Sequence, residues 1–126
     1  MKVRWTKNSV RLRITPQELE ALQRGETIRE SFPLGDAWHV AVVPSDKTAL
    51  QFVEGVLQIA LSENDRAALA NPENEGVYFQ TDTEIPLRYF IEKDFPCANP
   101  RAAEAMEPVT ETFAPPSGFE ARKKRC

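Results

Sequence analysis

With 126 residues, 41% apolar and 28% charged, the chain has the size and balance of one globular domain able to bury its own core. No apolar run reaches the roughly 20 residues that span a bilayer, the start lacks a signal-peptide pattern, and two cysteines make no disulfide framework, so the expected home is the cytoplasm. The net charge of −3 hides a local basic patch: Lys2, Arg4, Lys7, Arg11 and Arg13 all precede the first acid, Glu18, in an otherwise acid-rich body. That balance makes a nucleic acid an unlikely partner, since such binders carry a basic excess, and leaves a small anion open.

The first stretch reads as a hairpin. Val3, Trp5, Val10, Leu12 and Ile14 alternate with Lys2, Arg4, Arg11 and Arg13, the period of half-buried strands. A two-residue turn at Lys7-Asn8, where Asn tolerates positive φ, pairs Trp5 with Val10 and Arg4 with Arg11. All apolar residues then share one face and the cations the other. Like charges facing each other across strands cost about 0.2–1 kcal/mol unless something neutralises them.

Thr15-Pro16-Gln17-Glu18 starts a helix over 16–24, with Thr15 as N-cap, Pro16 in the first turn, Glu18 closing a capping box and Gly25 as the stop. Leu19 and Leu22 must face the sheet. A strand is expected over Thr27–Phe32. The run Ala37–Val43 is apolar enough for a central strand buried on both faces. Leu50–Val53 and Val56–Leu61 flank Glu54-Gly55, a second hairpin signal. Ser62 caps a second short helix that ends before Asn71-Pro72.

Val77–Thr81 and Ile85–Asp94 are the last strands; in the latter Leu87, Tyr89 and Ile91 share one face and Arg88, Phe90 and Glu92 the other. Residues 1–95 are therefore expected to form one domain. Residues 96–126, holding half of the ten prolines and the terminal basic cluster Arg122-Lys123-Lys124-Arg125, are expected to be a largely irregular tail. No internal repeat is evident. The expected fold is α+β: a mostly antiparallel sheet of seven to eight strands, strongly curled or barrel-like, with sequential hairpins pairing neighbour to neighbour.

Chemistry-bearing motifs are sparse. There is no Walker A loop, no G-x-G-x-x-G, no G-x-S-x-G and no H-E-x-x-H. His39 is the sole histidine and reads as a hydrogen-bonded strand residue, and with Cys97 and Cys126 it makes no zinc spacing, so no metal or other cofactor is expected. The sharpest oddity is the basic hairpin face. Arg4, Arg11 and Arg13 offer forked donors for phosphate or carboxylate, with Glu92 nearby. The same residues also read as an internal ladder in which acids such as Glu92, Glu84 or Glu30 neutralise the arginines.

NSVRLR at Asn8–Arg13 and LRYFIEKDFPC at Leu87–Cys97 resemble a family of small bacterial proteins that carries no assigned activity. The resemblance covers residues 1 to about 100, implies a compact bacterial domain, and places the two blocks in one unit. Three function classes follow: a non-enzymatic binding or interaction protein; a barrel-type binder of a small anion on the hairpin face; and an enzyme of phosphate or carboxylate chemistry with Glu92 or Asp94 as base.

Overall fold

The computed structural model describes residues 1–34, 38–95, 113–114 and 116–117. Among these residues the order is β1 (Lys2–Thr6), β2 (Ser9–Ile14), α1 (Pro16–Gln23), β3 (Ile28–Phe32), β4 (Trp38–Pro44), β5 (Ala49–Val53), β6 (Val56–Leu61), α2 (Glu63–Ala70), β7 (Gly76–Gln80) and β8 (Arg88–Lys93). The class is α+β, as expected. The architecture differs: two four-stranded sheets, β1-β2-β8-β7 (sheet A) and β3-β4-β6-β5 (sheet B), replace the single curled or barrel-like sheet.

Both sheets are mixed rather than mostly antiparallel. The local hairpins pair antiparallel, but each sheet is joined at its centre by a parallel pair, β2 with β8 and β4 with β6. β4, with Val40, Ala41 and Val42 all buried in succession, is a central strand covered on both faces, as its composition suggested, whereas β2 and β8 bury only the alternate residues that face the core. Alternation and turn residues define hairpins; they carry no information on which hairpins adjoin.

Local signals otherwise act as anticipated. β1 and β2 pair in the expected register, with Trp5 opposite Val10 and Arg4 opposite Arg11. The turn at Lys7-Asn8 closes without positive φ, however; among the described residues only Gly25, Glu54 and Gly55 adopt it. Glu54-Gly55, at φ 50° and 78°, shows the two left-handed residues of a primed hairpin turn. In α1 the capping box is complete: Thr15 Oγ1 accepts from the Glu18 N–H, and Glu18 Oε1 accepts from the Thr15 N–H at 3.0 Å. Ser62 caps α2 by accepting from the Asp65 N–H.

The two halves of the chain repeat one another. β1, β2 and α1 recur as β5, β6 and α2 with identical lengths, each 47 residues further on. β3-β4 likewise recurs as the hairpin β7-β8. Each half gives one hairpin to each sheet, and the parallel central pairs stitch the halves together. The inner faces share a single core. Leu12, Ile14, Leu22, Val40, Val42, Ile59, Leu61, Leu69 and Ile91 are fully buried there, contributed by both sheets and both helices.

Beyond β8, Phe113 returns to the body. Its N–H donates to the Asp94 carbonyl at 3.1 Å, its ring meets Phe95 edge-on, and the Lys93 ammonium lies 5.7 Å from its centroid. Lys93 is itself buried, which lowers its pKa, and its Nζ donates to the Asn71 carbonyl at 2.7 Å. Most of the stretch expected to be a tail, with Cys97 and Cys126, lies outside the described residues.

Candidate functional site

Because strand register alternates faces, the pairing of sheet A dictates what its outer face displays. Across β1, β2, β8 and β7 the rows run Thr6-Ser9-Arg88-Gln80, then Arg4-Arg11-Phe90-Tyr78, then Lys2-Arg13-Glu92-Gly76. Five cations and one carboxylate share this face. The cations crowd β1 and β2, while β8 and β7 bring two aromatic rings, Phe90 and Tyr78, 5.4 Å apart between centroids.

The first two rows enclose a hollow of about 280 Å³ lined by Arg4, Thr6, Ser9, Arg11, Arg88 and Phe90. The Thr6 and Ser9 hydroxyls lie 2.6 Å apart at its rim. The Arg11 guanidinium sits 5.4 Å from the Phe90 centroid, a cation–π placement that fixes its plane. Arg11 Nε also faces Glu92 Oε1 at 2.8 Å; neither atom has an aligned hydrogen-bond partner, so charge rather than a directed bond holds the pair. The other Glu92 oxygen accepts from the Tyr78 hydroxyl at 3.1 Å. Burial first, and the neighbouring Glu92 carboxylate second, push the Tyr78 pKa from 10.0 up to about 12.

Gly76 makes this arrangement possible. A β-carbon there would lie 2.5 Å from the Ile91 carbonyl oxygen, 2.9 Å from Glu92 Cα and 3.0 Å from Glu92 Cγ. The absent side chain leaves room for Glu92 to reach diagonally to Arg11 and Tyr78.

Of the residues singled out from sequence, Arg4 and Arg11 meet in the hollow, and Glu92 anchors Arg11 from the next row. Arg13 lies beside Glu92 in register but does not line the hollow. Among the described residues only Arg11 of the three arginines has an ion pair; Arg4 and Arg13 have none. The ladder reading therefore holds for one rung. Arg88, not singled out beforehand, completes the cationic wall, and its signal was present in the Arg88-Phe90-Glu92 alternation of the last strand. Asp94 is buried and engaged by Lys2 Nζ at 3.3 Å. His39 Nδ1 and Ser31 Oγ are hydrogen-bonded at 2.6 Å between neighbouring strands of sheet B.

The repeat supplies an internal control. On the outer face of sheet B, the positions equivalent to Arg4 and Arg11 are Gln51 and Gln58, whose side chains are hydrogen-bonded at 3.1 Å. The positions of Phe90 and Tyr78 hold Ala41 and Arg29; those of Lys2 and Arg13 hold Ala49 and Ala60. The same framework is thus built without crowded cations. The arginine pair of sheet A is not a requirement of the fold.

A second, larger concavity of about 570 Å³ opens between β1 and β3, with Trp5, Trp38 and Phe32 in its apolar wall. Trp5 and Trp38 meet edge-to-face at 5.0 Å across the two sheets. The wall is largely apolar, and its charged groups, Glu30 and the Met1 ammonium, pair with each other at 3.7 Å, whereas the smaller hollow gathers cationic donors.

Comparison with known proteins adds a family. A family model described as a family of unknown function (DUF7009) matches residues 1–113. The chain belongs to that family. The match ends at Phe113, the residue that folds back onto Phe95. No curated protein and no solved structure matches the chain. No helix among the described residues is long and apolar enough to cross a membrane.

Proposed function

We propose that this protein is a non-enzymatic binding protein that takes a small anion, phosphate or carboxylate, on the outer face of sheet A. Arg4 and Arg88 supply guanidinium groups that have no ion pair among the described residues, Thr6 and Ser9 the hydroxyl donors, and Arg11 a third cation held in place by Glu92 and Phe90. The observation that carries the reading is the contrast between the sheets: equivalent positions are Gln51 and Gln58 on sheet B but the facing cations Arg4 and Arg11 on sheet A. Facing cations cost stability, about 0.2–1 kcal/mol, which a bound anion removes. The acidic body suits a small ligand, such as a phosphorylated or carboxylated metabolite of the bacterial cytoplasm, over a polyanion.

Inorganic phosphate, pyrophosphate and a dicarboxylate are expected to raise the melting temperature, since a ligand at 100 times its Kd stabilises by about 2.7 kcal/mol. Arg88→Gln is expected to abolish the shift. No shift with any of the three, or an equal shift in Arg88→Gln, contradicts the reading. Both tryptophans lie in the apolar concavity, so their emission reports independently on a second reading, partner docking at that cleft. Anions are expected to leave it unchanged.

A further inference from the structure

The hollow is open on the sheet surface, and what adjoins it is aromatic. At about 280 Å³ it lies at the small end of ligand pockets, whose range is ~300–1,000 Å³ for drug-sized ligands. It holds a charged end and leaves the rest of the ligand on the open sheet. The row that contains Arg4 and Arg11 continues through Phe90 to Tyr78. Tyr78 is 54% exposed, and its hydroxyl is tethered to Glu92, which holds the ring in one orientation. Neighbouring strands are about 4.8 Å apart, so the path from Arg11 on β2 to Tyr78 on β7 is roughly 10 Å.

We propose that the ligand is a nucleoside monophosphate, its phosphate held by Arg4 and Arg88 in the hollow and its base stacked on Tyr78. This rests on the anion reading of the same face and adds the ring. Inorganic phosphate is too short to span both features; a nucleotide is bridged across them by its ribose. Base–aromatic stacking is tolerant of base identity, because every base presents a π-face. Among the described residues the face offers no second cationic cluster beyond Tyr78 for a following phosphate, since Gln80 and Gly76 are its neighbours on β7. One nucleotide fits better than a strand.

The test is calorimetric titration of the full chain with adenosine 5′-monophosphate, ribose 5-phosphate and inorganic phosphate, using wild type, Tyr78→Leu and Tyr78→Phe. The nucleotide is expected to bind about tenfold more tightly than ribose 5-phosphate, the lower part of the range for one stacked base. Tyr78→Leu is expected to erase that difference, and Tyr78→Phe, which keeps the ring, to retain it. Circular dichroism of both variants checks that they are folded. Equal affinity for nucleotide and ribose 5-phosphate overturns the nucleotide assignment while leaving anion binding standing. A preference that survives in folded Tyr78→Leu also overturns it. Absence of binding by all three probes defeats both readings together.

Discussion

At the scale of single residues, the site turns on what Gly76 lacks and what Glu92 reaches. A β-carbon at position 76 would collide with backbone atoms that cannot swing aside. Gly76→Ala is therefore expected to destabilise the protein by about 1–3 kcal/mol, read by urea denaturation. An unchanged midpoint would show that β7 yields easily. Tyr78 gives a sharper spectroscopic check. Its pKa is raised from 10.0 to about 12, so the folded state holds the phenol proton more tightly than the unfolded chain. The resulting stability is complete below pH 10 and is lost as pH rises from 10 towards 12. Tyrosinate absorbance, taken as wild type minus Tyr78→Phe, is expected to show a midpoint near 12 in the native protein and near 10 in denaturant. Replacing Glu92 by Gln is expected to lower the native midpoint, because a neutral amide no longer opposes the phenolate. A native midpoint near 10 in wild type would remove Glu92 and burial as the controlling influences.

At the scale of elements, the N-terminal hairpin organises the fold through one face and the candidate site through the other. Its apolar face supplies Leu12 and Ile14 to the shared core. Its cationic face departs from the Gln51–Gln58 pair of the equivalent hairpin. Arg4→Gln imitates the second hairpin, removes the facing charges and leaves the Arg11–Glu92 pair in place. The variant is expected to be about 0.2–1 kcal/mol more stable than wild type without ligand, and to lose its thermal response to phosphate. A destabilised variant would mean that Arg4 serves the fold rather than a ligand. These elements were legible in the sequence because local chemistry dictates them: alternation set the strand faces, Thr15 and Glu18 set the start of α1, and Glu54-Gly55 set a turn. The turn at Lys7-Asn8 was legible in place but not in backbone type. Arg88 was legible as a neighbour of Phe90 and Glu92, yet its proximity to Arg4 and Arg11 required knowing that β8 lies against β2.

At the scale of the molecule, the arrangement of hairpins was not legible, for a physical reason. β2 and β8 are separated by most of the chain, and parallel pairing leaves no turn signature between its partners. The repeat was hidden similarly. Val3, Val10, Leu12 and Thr15 correspond to Leu50, Leu57, Ile59 and Ser62, replacements that keep burial or capping while changing identity. What the halves do not share is charge, and that asymmetry is the basis for placing function on sheet A. The most direct measurement is a backbone amide NMR titration with pyrophosphate, because it reports the location of binding without relying on any variant. The account predicts shifts concentrated at Arg4, Thr6, Ser9, Arg11 and Arg88, with Gln51 and Gln58 unmoved. Shifts centred on sheet B or on the Trp5–Trp38 cleft, or none at all, would contradict it.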